Sequence, residues 1–218
     1  LSVVDVPPGA SSAPHRHDAQ VFVYMLRGRM IMQVKGGPRL TLGPGQTFYE
    51  NPSDIHTISA NASKIKPAAF LAFLIKKKGK PALIPVTPQQ IRAEPATASG
   101  HAPAAHGRHR PAYALMSRDV IGLPGKQVVM GVISLPPGAR GKPHRHFAQV
   151  FVYMLQGKTI MQVKGGPLLT LGPGQTFYES PTDIHTVSDN ASKTEPAKFL
   201  AILIKAKGKP STFRVPSH

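Results

Sequence analysis

The chain has 218 residues, 41% of them hydrophobic, with 23 prolines, 20 glycines and no cysteine; this length allows one large domain or two of about 100 residues, and the turn-forming content favours an all-β class. Without cysteine, disulfides and thiolate ligands are excluded, so any metal must be held by His, Asp, Glu or neutral oxygen donors. The formal charge of +17 draws anions, but the charges are scattered, aromatic residues are 6% of the chain and no nucleic-acid motif occurs, so neither a nucleic-acid partner nor, lacking any run of roughly 18 apolar residues, a membrane is expected.

In chain order, the first strand signal is Gln20 to Leu26, an apolar-aromatic run ended by Arg27-Gly28. Met30 to Val34 follows, ended by Lys35-Gly36-Gly37-Pro38, then the alternating Leu40-Thr41-Leu42, stopped by Gly43-Pro44-Gly45. Thr47 to Glu50, the turn Asn51-Pro52-Ser53-Asp54, Ile55 to Ser59 and the apolar Phe70 to Ile75 complete the set. Lys76-Lys77-Lys78-Gly79-Lys80 reads as a solvated strand exit. Short strands at near-even spacing with Gly/Pro turns predict a sandwich or barrel, and no amphipathic helical period stands out.

Adding 129 to a residue number carries this whole pattern onto the second half. Pro7-Pro8-Gly9 becomes Pro136-Pro137-Gly138, His15-Arg16-His17 becomes His144-Arg145-His146, and Gly43 through Glu50 becomes Gly172 through Glu179 unchanged. About 58 of the 75 positions from 7 to 81 are identical between the copies, which marks an internal duplication. The expected division is a first barrel over 1–82, a Pro/Ala/His-rich linker over 83–110 and a second barrel over 111–218. The second copy has an upstream segment, Tyr113 to Met130, with no counterpart in the first, so either a strand of the first barrel is expected to be missing or another segment covers that edge.

Of the ten histidines, six fall on the duplicated frame: His15, His17 and His56, and their copies His144, His146 and His185. Residues i and i+2 of a strand share a face, so His15 and His17 can aim two imidazoles at one point. His56, just past the turn at Asn51 to Asp54, supplies a third donor from a neighbouring strand. Imidazoles suit Fe, Mn, Ni, Cu or Zn, so one divalent transition-metal ion per barrel is expected. The linker histidines His101, His106 and His109 read as incidental. Asn61-Ala62-Ser63 and Asn190-Ala191-Ser192 fit a glycosylation pattern but read better as turns.

Pro7-Pro8-Gly9 through His15-Arg16-His17, then Val23-Tyr24-Met25-Leu26-Arg27-Gly28, and later Gly45 to Asn51-Pro52-Ser53-Asp54-Ile55-His56, resemble the two signature motifs of the cupin superfamily. The chain is most similar to its small quercetin dioxygenase-like members, duplicated as a bicupin. The resemblance implies an antiparallel jelly-roll barrel with a metal held inside by His15, His17 and His56. It also implies a glutamate four residues after the second histidine, and there this chain has Val21 and Val150. The alternatives for a fourth ligand are Gln20 and Gln149, if a bulge re-aims them, or Glu50 and Glu179, which are also candidate catalytic bases. A three-histidine site resembles those of the acetylacetone, gentisate and thiol dioxygenase branches. The expected function is a metal-dependent, dioxygenase-like enzyme acting on a small anionic or phenolic molecule, with a non-catalytic small-molecule or metal-binding protein as the alternative. Phe22, Tyr24, Met32, Phe48, Phe70 and Phe73 are expected to line the barrel, and Tyr24, Tyr49, Tyr153 and Tyr178 are possible hydroxyl donors. The two barrels suit a monomer acting as a pseudo-dimer or a homo-oligomer, and the composition leans towards an exported bacterial protein.

Overall fold

The computed structural model describes residues 1–96 and 114–215, which are nearly all β. The chain divides into two compact units at residues 105 and 106. In the first unit the strands are β1 (Ser2–Val6), β2 (Ser11–Ser12), β3 (His15–Arg16), β4 (Ala19–Arg27), β5 (Met30–Val34), β6 (Leu40–Leu42), β7 (Thr47–Glu50), β8 (Ile55–Asn61), β9 (Ala68–Lys76) and β10 (Ile84–Pro85), followed by a short helix α1 (Pro88–Ala93). In the second they are β11 (Ala114–Asp119), β12 (Lys126–Leu135), β13 (His144–Arg145), β14 (Ala148–Gln156), β15 (Thr159–Val163), β16 (Leu169–Leu171), β17 (Thr176–Glu179), β18 (His185–Asn190), β19 (Ala197–Ala206) and β20 (Phe213–Arg214).

Each unit is an antiparallel two-sheet jelly roll. The first pairs its strands in the order β1-β9-β4-β7 and β10-β3-β8-β5-β6, with β2 added on β8; the second follows β11-β12-β19-β14-β17 and β16-β15-β18-β13-β20. Side chains alternate along a strand, so β5 buries Met30, Met32 and Val34 while Ile31 and Gln33 stay half-exposed. These meet Val21, Val23 and Met25 of β4, Phe48 of β7 and Ala72 of β9 from the facing sheet, which closes a core between the two layers. The second unit repeats this with Val150, Val152, Met154, Met161 and Phe199.

The aromatic residues divide between the two faces of the sheet, contrary to the expectation that all of them line the barrel. Val21 lies opposite Glu50 and Val23 opposite Phe48, whereas Phe22 lies opposite both Tyr49 and Phe73. Phe22, Tyr24, Tyr49 and Phe73 therefore sit on the outer face of this sheet, and only Met32, Phe48 and Phe70 of the expected lining point inward.

The segment expected to be a linker from residue 83 is folded as far as Glu94. Ile84 and Pro85 pair with Arg16 and His15, and Val86 N–H donates to Pro14 O at 3.1 Å. Thr87 and Gln90 then form a reciprocal capping box with Pro88 at the first helical turn. Lys35 Nζ donates to the carbonyls of Ile91 and Glu94 at the other end of the helix, and Arg16 pairs with Glu94 at 3.0 Å. The linker histidines lie outside the described residues. At the other end of the first unit, β1 is the counterpart of the C-terminal half of β12. It pairs only with β9 among the described residues, so β11 and the start of β12 have no equivalent there.

Two local features hold both units in the same form. Gly28 has φ +67 at the β4–β5 turn, and a Cβ there would come within 2.5 Å of Pro67 O; only glycine fits both conditions. Asn61 is a buried clamp rather than a glycosylation site. Its Nδ2 donates to Val6 O, Pro7 O and Lys66 O at 3.1, 3.0 and 2.9 Å, and its Oδ1 accepts from Ser63 N. Asn190 repeats all four bonds. Replacing Asn61 with Ala leaves three carbonyls without their donor and is expected to cost about 2–4 kcal/mol, measured as a lower urea midpoint at unchanged slope.

Candidate metal centre

Strand register builds each site. In the first unit His15 of β3 lies directly opposite His56 of β8, and in the second His144 lies opposite His185. Directly opposed residues share a face, so a 41-residue separation in sequence becomes adjacent imidazoles with ring centres 5.1 Å apart in the first unit and 5.0 Å in the second. His17 lies just beyond β3 and joins them edge-on, 5.0 Å from His15; His146 does the same at 4.9 Å. In each triad the donor atoms lie within 4.8 Å of one another. Phe48 stacks on His56 and Phe177 on His185, packing one side of each ring.

The far nitrogen of four of the six rings is held by main-chain carbonyls. His15 Nδ1 donates to Ala13 O and His144 Nδ1 to Lys142 O, both at 2.8 Å. His17 Nδ1 donates to Ala82 O, and His146 Nδ1 to Ser211 O at 2.6 Å. With Nδ1 committed to a carbonyl, the neutral form of each ring presents its Nε2 lone pair inward, as a metal ligand must. The orienting carbonyls of Ala82 and Ser211 come from the segments after β9 and β19, which cross back to pair with β3 and β13. Nothing in the local composition of these segments marked that role, because a carbonyl is present at every residue and its placement depends on the path of the chain.

The fourth-ligand candidates separate cleanly. Gln20 points away from the site and donates to the Tyr49 hydroxyl at 2.6 Å, while Gln149 is exposed. The bulge needed to turn either inward is absent there, since the β4–β9 register runs unbroken from Ala19 to Met25 and shifts only between Met25 and Arg27. None of Tyr24, Tyr49, Tyr153 or Tyr178 lines either of the two cavities at the triads. Glu50, by contrast, is 2% exposed and faces the triad, with Oε2 3.2 Å from His56 Nδ1 and 3.8 Å from His17 Nε2. Glu179 repeats this at 3.3 and 3.9 Å.

The donor set fits a divalent transition metal. Glu50 Oε2, His56 Nε2 and both ring nitrogens of His185 are buried without a hydrogen-bond partner, a costly state for polar atoms; an ion in each triad would engage a carboxylate oxygen and one nitrogen of each ring. Metal–nitrogen bonds of about 2.0–2.1 Å require donors within about 4.2 Å of one another, close to the 4.8 Å limit within which these donors lie. The sites open on cavities of about 180 Å³ in the first unit and about 200 Å³ in the second. In the first unit its wall is mostly apolar, with Val4, Val21, Val23, Met32, Phe70 and Leu74. Leu83 at the first site is replaced by Thr212 at the second.

Two jelly-roll domains in tandem, each carrying an inward-facing histidine triad, define a double-barrel protein with paired candidate metal centres. A family model described as a cupin domain matches residues 2–74 and again 131–203. The chain belongs to the cupin family, with two such domains in one polypeptide. No curated protein matches. Among solved structures, the chain is similar to a mutant of Bacillus subtilis oxalate decarboxylase OxdC, with TM-score 0.64 and 18% identity, over 98% of this chain and 70% of that one. It is also similar to AerE from Microcystis aeruginosa, with TM-score 0.61 and 16% identity, over 93% and 85%. A further oxalate decarboxylase structure, of similar score, concerns the Mn(II) centres of that enzyme. At these identities the likeness is one of fold.

Burial, aided by the neighbouring His56 and His17 and opposed by the bond to Ala13 O, holds His15 below its ordinary 6.5. His144 is lowered too, again first by burial. Burial pushes Glu50 upward, but His56, His17 and His15 outweigh it and hold the carboxyl below its ordinary value. A lowered histidine binds fewer protons folded than unfolded, so its contribution is fully present above the ordinary value of 6.5 and is lost as pH falls below it, down through the lowered folded value. Melting temperatures of metal-free protein are expected to fall steadily from pH 7 to about pH 5. A His15→Asn, His144→Asn variant is expected to flatten that slope.

Proposed function

We propose that the protein is a metal-dependent bicupin of the oxygenase type, holding one divalent ion per barrel and acting on a small organic molecule. The observation that carries this reading is the repeated triad, in which three imidazoles, two per barrel fixed by main-chain carbonyls, converge on a largely apolar cavity. His15, His17 and His56 would hold one ion, and His144, His146 and His185 the other. The donor set suits Fe, Mn, Ni, Cu or Zn, and the fold's likeness to an enzyme with Mn(II) centres makes manganese a natural first ion to load. Bound there, the ion supplies a Lewis acid with positions left for substrate and oxygen or water.

The protein's own residues do the rest. A cavity of about 200 Å³ is below the roughly 300 Å³ at which drug-sized sites begin, which favours a compact substrate. Valine, methionine and phenylalanine walls make the surroundings of the triad largely apolar, which strengthens charge interactions beside them. Glu50 and Glu179 bring the carboxylate of each cavity to its polar end. The same walls offer few polar groups to orient a reacting molecule, and this favours the second reading, a binding protein without turnover.

Anaerobic loading followed by metal analysis is expected to give two ions per chain, and His56→Ala is expected to leave one. Oxygen consumption with a panel of catechol, diketone and flavonol compounds then separates the readings. Uptake with any of them supports the enzyme, saturable binding without uptake supports the binding protein, and failure to retain metal overturns the metal-dependent enzyme.

A further inference from the structure

Position 21 lacks the carboxylate that the sequence motif leads one to expect, and the sheet places another beside the vacancy. Val21 of β4 and Glu50 of β7 are direct cross-strand partners, as are Val150 and Glu179 in the second barrel. Opposed residues in an antiparallel pair project from the same face with Cβ atoms about 4.5–5.5 Å apart. A glutamate on β7 therefore reaches the space that a glutamate at position 21 would fill.

Resting on the metal-binding reading above, we infer that Glu50 and Glu179 are the fourth protein ligands of the two ions, the carboxylate having moved one strand sideways rather than having been lost. Three observations converge on this. Oε2 of Glu50 is buried without a hydrogen bond, although His56 Nδ1 is only 3.2 Å away. It also stands 3.8 Å from Nε2 of His17, the nitrogen left facing inward once Nδ1 is committed to Ala82 O. Separations of this size, without direct bonds, are those of donors sharing one cation, since bonds of about 2.0–2.2 Å place neighbouring ligand atoms about 3–4 Å apart. The second barrel reproduces both distances to within 0.1 Å, at 3.3 and 3.9 Å, although its cavity wall differs at positions such as Leu83 and Thr212.

This assignment changes the chemistry expected of each barrel. With three neutral imidazoles alone a divalent ion keeps its full charge and calls for an anionic ligand. With the carboxylate bound the site carries a single net positive charge, so a neutral substrate is admissible. A metal-bound Glu50 is also no longer free to act as a base, and a proton leaving the substrate must pass to another acceptor.

The test uses the full chain loaded with Mn(II), with affinity measured by chelator competition and metal-bound water counted by water-proton relaxation. The wild type is expected to bind two ions. The paired variant Glu50→Ala, Glu179→Ala is expected to bind roughly 100-fold or more weakly and to gain about one bound water per ion. Adding Val21→Glu and Val150→Glu to that variant is expected to restore tight binding and the lower water count. If the alanine pair does not fold, Glu50→Gln, Glu179→Gln is measured instead, with weaker binding expected. Tight binding by the wild type with unchanged affinity in the variant overturns the inference while leaving the metal reading intact. Weaker binding with no added water and no rescue overturns it as well, and reduces Glu50 to a positioning residue for His56. A wild type that binds no Mn(II) overturns the metal reading itself.

Discussion

The opposition of His15 to His56 across two short antiparallel strands is the constraint on which each site depends. The pairing brings together imidazoles that the chain separates by 41 residues, and it tolerates no slip. A shift of one residue would turn His56 out of the barrel and bring Ile55 or Thr57 to its place. Register is therefore secured from several sides. Asp54 accepts from Asn51 N–H at 2.7 Å and closes the turn that starts β8, Asn61 clamps the far end of the same strand, and the β5 pairing anchors its outer edge. The second barrel uses Asp183 and Asn190 in the same places.

Burial makes the site demanding as well as well defined. Glu50 and His56 are almost wholly removed from water, and atoms of both lack partners. Such groups cost stability unless something charged completes them. Both copies keep this unfavourable set, although about a quarter of the aligned positions differ between them. The positive charge of the chain, +17 overall, is not concentrated in the triads, where the nearest charged group is a carboxylate.

Much of this was legible in the linear pattern because it depends on local chemistry. Strand limits followed from Gly/Pro turns, so Met30–Val34, Leu40–Leu42 and Thr47–Glu50 fall where the pattern put them. The triad was legible because histidines recur at one spacing in both copies. Less legible was anything that depends on facing or on chain return. Gln20 and Glu50 were comparable candidates for the fourth ligand on sequence spacing alone, and only an unbroken register sends one outward and the other in. The residues after position 82 look like linker by composition, yet hydrogen bonds to β3 and the cap at Thr87 hold them to the first barrel.

The run Ala-Gln-Val-Phe-Val-Tyr-Met-Leu occurs identically at 19–26 and 148–155 and shows where the division lies. Sequence by itself determined that both runs are strands, that each ends at a glycine turn and that each belongs to a duplicated barrel with three histidines, since steric preference, turn chemistry and repetition act over a few residues. Tertiary structure decided that β4 is buried on both faces while β14 leaves Gln149 exposed, that backbone carbonyls at Ala82 and Ser211 orient two of the imidazoles, and that the carboxylate beside Val21 comes from the neighbouring strand. Each of these outcomes depends on residues distant in the chain, and the spacing of a segment's own side chains carries no information about them.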